Sequence, residues 1–153
     1  LRALAQQTAA RPRVMLNTPY RDTWFMPARN SYMVRLLEDA GARYVFEENT
    51  ATQTLPIDID QAYYLTSKSD FWLNVSGCNT LDEVRRQNPR LADTPPVREG
   101  RVYDNNRRRN AAGGSDFWES GVLRPDRVLA DLVHIFHPEL SETDELYYYR
   151  QLE

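Results

Sequence analysis

Residues able to do chemistry cluster in the segment Asn105–Gly121, which reads NNRRRNAAGGSDFWESG. Three arginines stand together, two glycines follow, and an aspartate, two aromatic residues and a glutamate come next. Arginine side chains bind carboxylates and phosphates through paired hydrogen bonds, and they stack on aromatic rings. The segment is therefore a candidate for a nucleic-acid patch, a phosphate loop or one side of a ligand pocket.

The overall charge and the local motif decide among these three sites. The formal net charge is −3 and the sequence pI is about 5.5, which argues against a general nucleic-acid binder. The pair Gly113-Gly114 lacks the GxxxxGK[ST] pattern of a phosphate loop. Lys68 is the only lysine among 19 basic residues, and a genomic bias toward arginine codons is preferred to ligand binding as the explanation. A ligand pocket is the interpretation that remains.

Motifs for catalysis and metal binding are weak. The sequence contains neither a G-x-S-x-G nucleophile elbow nor a G-x-G-x-x-G fingerprint. His134 and His137 have a spacing that suits a metal, but their apolar neighbours and Pro138 favour structural roles. Cys78 is the single cysteine, which excludes an internal disulfide, and we expect it to be a small buried residue. No enzymatic activity is predicted.

Strand and helix patterns alternate along the chain, which predicts how these residues are positioned. Short apolar runs predict strands, and periodic segments with capping signals predict helices between them. The predicted strands are 13–18, 43–48, 71–76 and 101–106, and the predicted helices are 31–41, 58–69, 80–87, 125–137 and a last one capped by Ser141. Pro89, Pro95 and Pro96 are expected to interrupt the chain after the third helix. The predicted fold class is α/β, a three-layer α/β/α lobe with a mostly parallel four- to five-stranded sheet.

Ligands of such sheets bind at the carboxyl ends of the strands, so the loops at that edge hold the candidate site. The first loop offers aromatic, arginine and amide side chains: Tyr20, Arg21, Trp24, Phe25, Arg29, Asn30 and Tyr32. The last loop offers Asn106, Arg107, Arg108, Arg109, Asn110, Asp116, Phe117, Trp118 and Glu119. This mixture suits a bulky ligand with rings and anionic or carbonyl groups. The alternative for Trp24 and Trp118 is packing beneath the loops. Alternation along the chain favours Arg107 and Arg109 over Arg108 as ligand contacts.

Three segments of the chain resemble one known family. The segments read VMLNTPYRDTWFMPARNSYMVRLLEDAGARYVF, DFWLNVSGCNTLDEV, and GRVYDNN followed by GGSDFWESGVLRPDRVLADLVHIFHPEL. They are similar to the C-terminal lobe of class III periplasmic substrate-binding proteins. The resemblance runs from about Pro12 to Leu152. It implies two lobes joined by a long helix, with residues 1–12 as the end of that helix and 13–153 as the second lobe. The N-terminal lobe would then lie outside this chain.

The resemblance also implies a binding site in the cleft between the lobes and a partner that receives the ligand. The cleft-facing residues would be Tyr20, Trp24, Arg29, Ser76, Gly77, Asn106, Arg107, Arg109, Asn110, Asp116 and Trp118. Glu83 is the candidate surface carboxylate for the arginines of an ABC permease. No protein-held cofactor or metal is expected, because the iron siderophore, haem or cobalamin would be the transported ligand. The location would be periplasmic or otherwise extracytoplasmic, with any lipid anchor on the absent N-terminus.

Two other functions remain open on the residues alone. A flavodoxin-like enzyme or sensor could bind an anionic small molecule, with Arg107 and Arg109 as anion clamps. A catalytic base at a strand end would support that function. The third hypothesis is a domain whose exposed aromatic edge binds another protein.

Overall fold

The computed structural model of this chain describes residues 11–19, 23–47, 53–75, 78–108, 116–118, 120–141 and 145–153. The strands are β1 Arg13–Leu16, β2 Trp24–Met26, β3 Arg43–Tyr44, β4 Leu55–Ile57, β5 Phe71–Leu73, β6 Val102–Asp104 and β7 Arg150–Gln151. The helices are α1 Tyr32–Asp39, α2 Ile59–Ser67, α3 Leu81–Gln87, α4 Pro95–Arg98, α5 Ser120–Leu123 and α6 Pro125–Phe136. Short 3₁₀ turns cover Pro89–Leu91, Asp116–Trp118 and Pro138–Leu140.

Five strands form the main sheet in the order β3-β1-β5-β6-β7. The first four are parallel, and β7 pairs antiparallel with β6. From β1 the chain moves to β3 on one side, whereas from β5 it moves to β6 on the other side. The strand order therefore reverses between β1 and β5, and the crevice at the carboxyl ends of these two strands is the expected binding position of such a sheet. The predicted α/β class and the mostly parallel sheet are confirmed.

The core lies on both faces of the sheet because its central strands carry apolar side chains on both faces. Val14, Met15 and Leu16 of β1 are fully buried, as are Trp72 and Leu73 of β5. Strand β5 is the middle strand, which is where a run of apolar residues without alternation belongs. Helices α1 and α6 contact each other, and α2, α3 and α4 form a second group in contact. The sheet is thus covered by helices that bury its apolar side chains.

Local capping signals explain where the helices begin. The Ser31 hydroxyl accepts the backbone N–H of Val34 at the start of α1. At α3 the Thr80 hydroxyl accepts the N–H of Glu83, and the Glu83 carboxylate accepts the N–H of Asn79. This is the reciprocal arrangement that the T-x-x-E pattern predicts, with the carboxylate reaching one residue further back than usual.

The predicted last helix is wrong. Tyr147, Tyr148 and Tyr149 donate their backbone N–H groups to the Asp131 carboxylate of α6, over 2.8, 2.6 and 3.0 Å. Those donors are then unavailable to carbonyls four residues earlier, which a helix would require. The chain continues into β7, whose pairing with β6 aligns Tyr103 with Gln151. Residues 142–144 lie outside the described part.

Two segments that were predicted to be loops contain strands, and three prolines that were predicted to interrupt the chain begin helical turns. The segments predicted as the first and second loops contain β2 and β4, which form a separate antiparallel pair with Trp24 opposite Ile57. Pro89 begins a 3₁₀ turn, and Pro95 and Pro96 form the first turn of α4. Proline is tolerated at those positions because the first N–H groups of a helix have no internal partner. Of the predicted connecting helix, residues 1–10 lie outside the described residues.

Candidate functional site

An asparagine directly follows each of the three central parallel strands. Asn17 follows β1, Asn74 follows β5 and Asn105 follows β6. Asn17 and Asn74 have φ angles of 71° and 63°, a left-handed backbone that asparagine tolerates better than most residues. Each also extends the sheet by one hydrogen bond, from Asn17 N to Leu73 O and from Asn74 N to Tyr103 O. The chain therefore turns sharply at the end of β1 and β5, where the strand order reverses.

Beneath this turn lies a pair of stacked tryptophans. The rings of Trp24 and Trp72 are 5.7 Å apart at an angle of 28°. The Trp24 indole donates to Leu16 O over 3.0 Å, and the Trp72 indole donates to Asn17 O over 2.7 Å. Trp24 is only 1 % exposed, so its main role is to support the end of β1. Packing and the backbone acceptor already occupy the indole, and Trp24 does not line the cavity described next, so its place among the ligand contacts stays a prediction.

A cavity of about 180 Å³ opens at the β1–β5 crevice. Its lining comes from the strand ends, the start of α1, the 116–123 segment and the start of α6. The lining residues are Asn17, Pro27, Tyr32, Met33, Asn74, Phe117, Trp118, Gly121, Val122 and Val128. Trp118 is 63 % exposed and Tyr32 is 51 % exposed, so two aromatic rings stand at its rim. This is an apolar, aromatic cavity with two amides at its base.

The amide of Asn74 is held by two buried donors. Its Oδ1 accepts the Tyr149 hydroxyl over 2.9 Å and the Asn105 Nδ2 over 3.1 Å. Asn74 is 4 % exposed and Tyr149 is fully buried. Burial raises the pKa of Tyr149 well above its ordinary value, with Asp104 and Asp131 adding to the effect, so the phenol stays neutral and donates. The orientation of the Asn74 side chain is fixed from the core.

Asp116 is part of a second network that supports the aromatic rim. The Ser120 hydroxyl lies 2.7 Å from Asp116 Oδ2 and 2.7 Å from the Tyr148 hydroxyl. Phe117 packs edge-on against Trp118, with ring centres 4.8 Å apart. Asp116 was predicted as a ligand contact, but its carboxylate binds Ser120 and it is not among the cavity-lining residues. The geometry assigns it to holding the Phe117–Trp118 segment.

The arginine run is positioned by the chain around Tyr147. Arg108 lies 3.7 Å from the centre of the Tyr147 ring and Arg127 lies 4.3 Å from it. Arg108 Nε also donates to Tyr147 O over 3.1 Å. Arg107 is exposed, and its backbone N–H donates to Tyr148 O. Arg108 is thus held against Tyr147, and the preference for Arg107 and Arg109 as ligand contacts stays a prediction.

Asn106 and Glu83 belong to a polar cluster beside the cavity. The Asn106 amide donates to Asn79 Oδ1 and accepts Arg150 Nε, each over 3.2 Å. Arg150 also donates to the backbone oxygen and to the side-chain oxygen of Asn79. Glu83 caps α3 through its bond to Asn79 N. Both predicted residues therefore join the ends of β5, β6 and β7, and neither lines the aromatic cavity.

Arg29 lies in a different depression. It donates to Glu47 O and lines an open space of about 580 Å³ together with Arg11, Arg43 and three carboxylates. This space is larger than the aromatic cavity, but its charges are of both signs and Arg43 pairs with Glu47 over 3.0 Å. We place the candidate site at the smaller cavity because it lies at the strand-order reversal. The predicted contacts Tyr20, Ser76, Gly77, Arg109 and Asn110 lie outside the described residues.

The histidines and the cysteine have structural positions. His134 Nδ1 lies 3.0 Å from the Ser141 hydroxyl, and the buried His137 Nε2 lies 3.0 Å from Gly41 O. Cys78 is buried, and burial together with Glu83 and Asp104 raises the pKa of its thiol. Within the described ranges, no group of three or more His, Cys, Asp or Glu side chains could hold a metal. None of the described helices has the length and apolar character of a membrane span.

Asn17 and Asn74 are the residues that the sequence interpretation missed. Both were placed inside predicted strands that extended to Thr18 and Ser76. The signal was nevertheless present, since Leu-Asn occurs at the end of both apolar runs. Recognising asparagine as a strand terminator would have moved both residues to the binding edge.

Comparisons with known proteins agree with this geometry. No protein-family model matches the chain. The uncharacterized lipoprotein MJ0878 of Methanocaldococcus jannaschii is 26 % identical over 131 residues, which are 84 % of this chain and 30 % of that protein. The TroA-like periplasmic binding protein FepB from Veillonella parvula matches 99 % of this chain and 52 % of its own, with a TM-score of 0.68 and 13 % identity. The periplasmic heme-binding protein RhuT from Roseiflexus sp. RS-1 matches 90 % of this chain and 50 % of its own, with a TM-score of 0.64 and 20 % identity.

The chain spans about half the length of these two solved structures and less than a third of the lipoprotein. Both structures are named as binding proteins. Their matches cover 99 % and 90 % of this chain. This chain has the fold of one lobe of the TroA-like periplasmic binding proteins.

Proposed function

We propose that this chain is the C-terminal lobe of an extracytoplasmic substrate-binding protein that captures a metal chelate for an ABC importer. The observation that carries the proposal is the aromatic cavity at the strand-order reversal of a lobe with a binding-protein fold. Tyr32 and Trp118 leave much of their ring surface uncovered at its rim. Exposed aromatic surface of this kind suits a large ring-bearing ligand.

The ligand would lie between this lobe and a second lobe, supplied by the part of the protein that precedes this chain. The cavity alone holds about 180 Å³, which accommodates part of a chelate rather than all of it. An iron siderophore, haem and cobalamin are the candidate ligands. The solved neighbour RhuT supports this choice, since it is a periplasmic heme-binding protein.

Delivery would follow from docking on a permease. Glu83 is the carboxylate that we predict to face the permease, and it lies in the first turn of α3, the helix that follows β5 in the chain. One of its oxygens accepts the N–H of Asn79, which fixes the position of the carboxylate. The relation to a lipoprotein favours an extracytoplasmic location with a lipid anchor outside this chain.

Calorimetric titration of the full-length protein tests the proposal. Cyanocobalamin, haemin and a set of ferric siderophores are added separately, and at least one is expected to bind with Kd below about 10 µM. The Trp118→Ala protein should bind the same ligand more weakly while keeping its circular dichroism spectrum. If no chelate in this set binds, the proposed function is wrong.

A further inference from the structure

The cavity lining contains one amide N–H donor, on Asn74, whose orientation is fixed and which no described residue uses. Asn74 Oδ1 accepts two hydrogen bonds, from Tyr149 and Asn105. Its Nδ2 has no hydrogen-bond partner among the described residues, although Asn74 is 4 % exposed and lines the cavity. An amide held in a fixed orientation at the base of an apolar cavity is placed to donate to an acceptor that a ligand supplies.

The rest of the lining gives the chemical character of that ligand. None of the ten described lining residues carries an ionisable side chain other than the phenol of Tyr32. Burial raises the pKa of Tyr32 above its ordinary value, so this phenol is neutral as well. A carboxylate placed in this cavity would lose its hydration without gaining a cationic partner from the described lining residues.

The two described arginines of the run before the aromatic segment, Arg107 and Arg108, do not supply that cation. Arg108 is held over the Tyr147 ring and bonded to Tyr147 O. Arg107 is exposed and is not among the lining residues. Within the described part of the chain, the cavity thus offers apolar contact and amide hydrogen bonds, without a positive charge.

We infer that the cavity binds an uncharged, mainly apolar part of the ligand that carries a carbonyl or carboxamide oxygen, and that Asn74 Nδ2 donates to this oxygen. The inference rests on the proposed function and narrows its ligand to chelates whose periphery carries amides rather than carboxylates. Tyr149 and Asn105 act as positioning residues, because they fix the amide from the core side. A site built to donate to one oxygen discriminates strongly against ligands that lack it.

A comparison of four probes tests this selectivity in the unmodified full-length protein. Cyanocobalamin and ferrichrome carry amides at their periphery, whereas haemin and ferric citrate carry carboxylates. We expect one of the first two probes to bind at least about 10-fold more tightly than either of the last two, as expected for one hydrogen bond of discrimination. If haemin or ferric citrate binds most tightly, the inference is wrong while the proposed function stands.

The second test is Asn74→Asp, measured at pH 8 with the probe that binds most tightly. Aspartate keeps an acceptor for Tyr149 and Asn105, but it replaces the free donor by an oxygen. Affinity should fall by about 10-fold or more. Gln61→Glu makes the same change of charge on the exposed side of α2 and should leave affinity unchanged.

Equal affinities of the two variants would overturn the role of Asn74. If Asn74→Asp does not fold, the four-probe comparison still decides the question, since it needs no substitution. If none of the four probes binds and no siderophore does, the proposed function fails as well.

Discussion

The Asp131 carboxylate accepts the backbone N–H of Tyr148 over 2.6 Å, which joins α6 to the segment before β7. Its two oxygens also accept the N–H groups of Tyr147 and Tyr149. From these three residues the contacts spread to Arg108, Ser120 and Asn74. One buried carboxylate therefore positions the backbone on which the aromatic rim and the Asn74 amide both depend.

Asp131→Asn should destabilise the protein more than the same substitution at an exposed aspartate of the same helix. The amide retains one acceptor oxygen and places an NH₂ group against backbone donors, which leaves at least one of them unpaired. We expect the free energy of unfolding to fall by about 1–3 kcal/mol, measured by urea denaturation. Asp126→Asn, on the exposed first turn of α6, is the control and should cost less. Equal losses would show that the three N–H bonds contribute little.

Alkaline pH should weaken the fold through Tyr149. Its pKa in the folded protein lies well above the ordinary value of 10.0, mainly because of burial, so the unfolded chain releases this proton first. The stabilising effect is complete below pH 10, and the free energy of unfolding then falls as pH rises, by at most about 1.4 kcal/mol per pH unit. Tyr149→Phe should unfold more readily at neutral pH but show a shallower decline above pH 10. Parallel curves for both proteins would contradict this assignment.

Trp118→Ala should weaken ligand binding without unfolding the lobe. The side chain is 63 % exposed at the cavity rim, so its removal takes away ligand contact and little core packing. We expect a loss of about 10-fold or more in affinity, as is common for aromatic residues central to an interface. The control is Leu123→Ala, an exposed apolar residue of α5 outside the cavity lining. A Trp118 variant with unchanged affinity would remove this ring from the binding site.

Trp24→Phe should have the opposite pattern. The indole is buried, stacked on Trp72 and bonded to Leu16 O, so the substitution loses a hydrogen bond and leaves a gap. The expected cost is about 1–3 kcal/mol in the free energy of unfolding, read from urea denaturation. Under conditions where the variant is fully folded, its ligand affinity should match that of the unmodified protein. A selective loss of affinity would restore Trp24 to the cleft.

Much of the fold could be predicted because its signals are local. The apolar runs RVML and FWL predict buried strands, and T-x-x-E predicts the start of α3. The last segment failed for a non-local reason, since the Asp131 carboxylate takes the backbone donors that a helix would use. The β2–β4 pair was missed because Phe25 aligns with Pro56, a residue that normally argues against a strand.

The aromatic cavity lies at the edge of the sheet where the sequence predicted a site, but only some of the predicted residues line it. Trp118 and Tyr32, both offered by the two loops, line the cavity. Trp24 does not, because two tryptophans at one edge can stack on each other as readily as on a ligand. Burial of Asn74 depends on Tyr149, which is 75 residues away in sequence, and no local pattern reports such a contact.

The stacked pair Trp24–Trp72 has a spectroscopic consequence. Two of the three tryptophans of this chain are sealed in the core, whereas Trp118 is open to water. Iodide is charged and does not enter protein interiors. It should therefore quench the fluorescence of Trp118 and leave the fluorescence of the buried pair unchanged. Within this chain, the fluorescence of Trp24 and Trp72 can thus serve as an internal reference, and the fluorescence of Trp118 reports on the cavity.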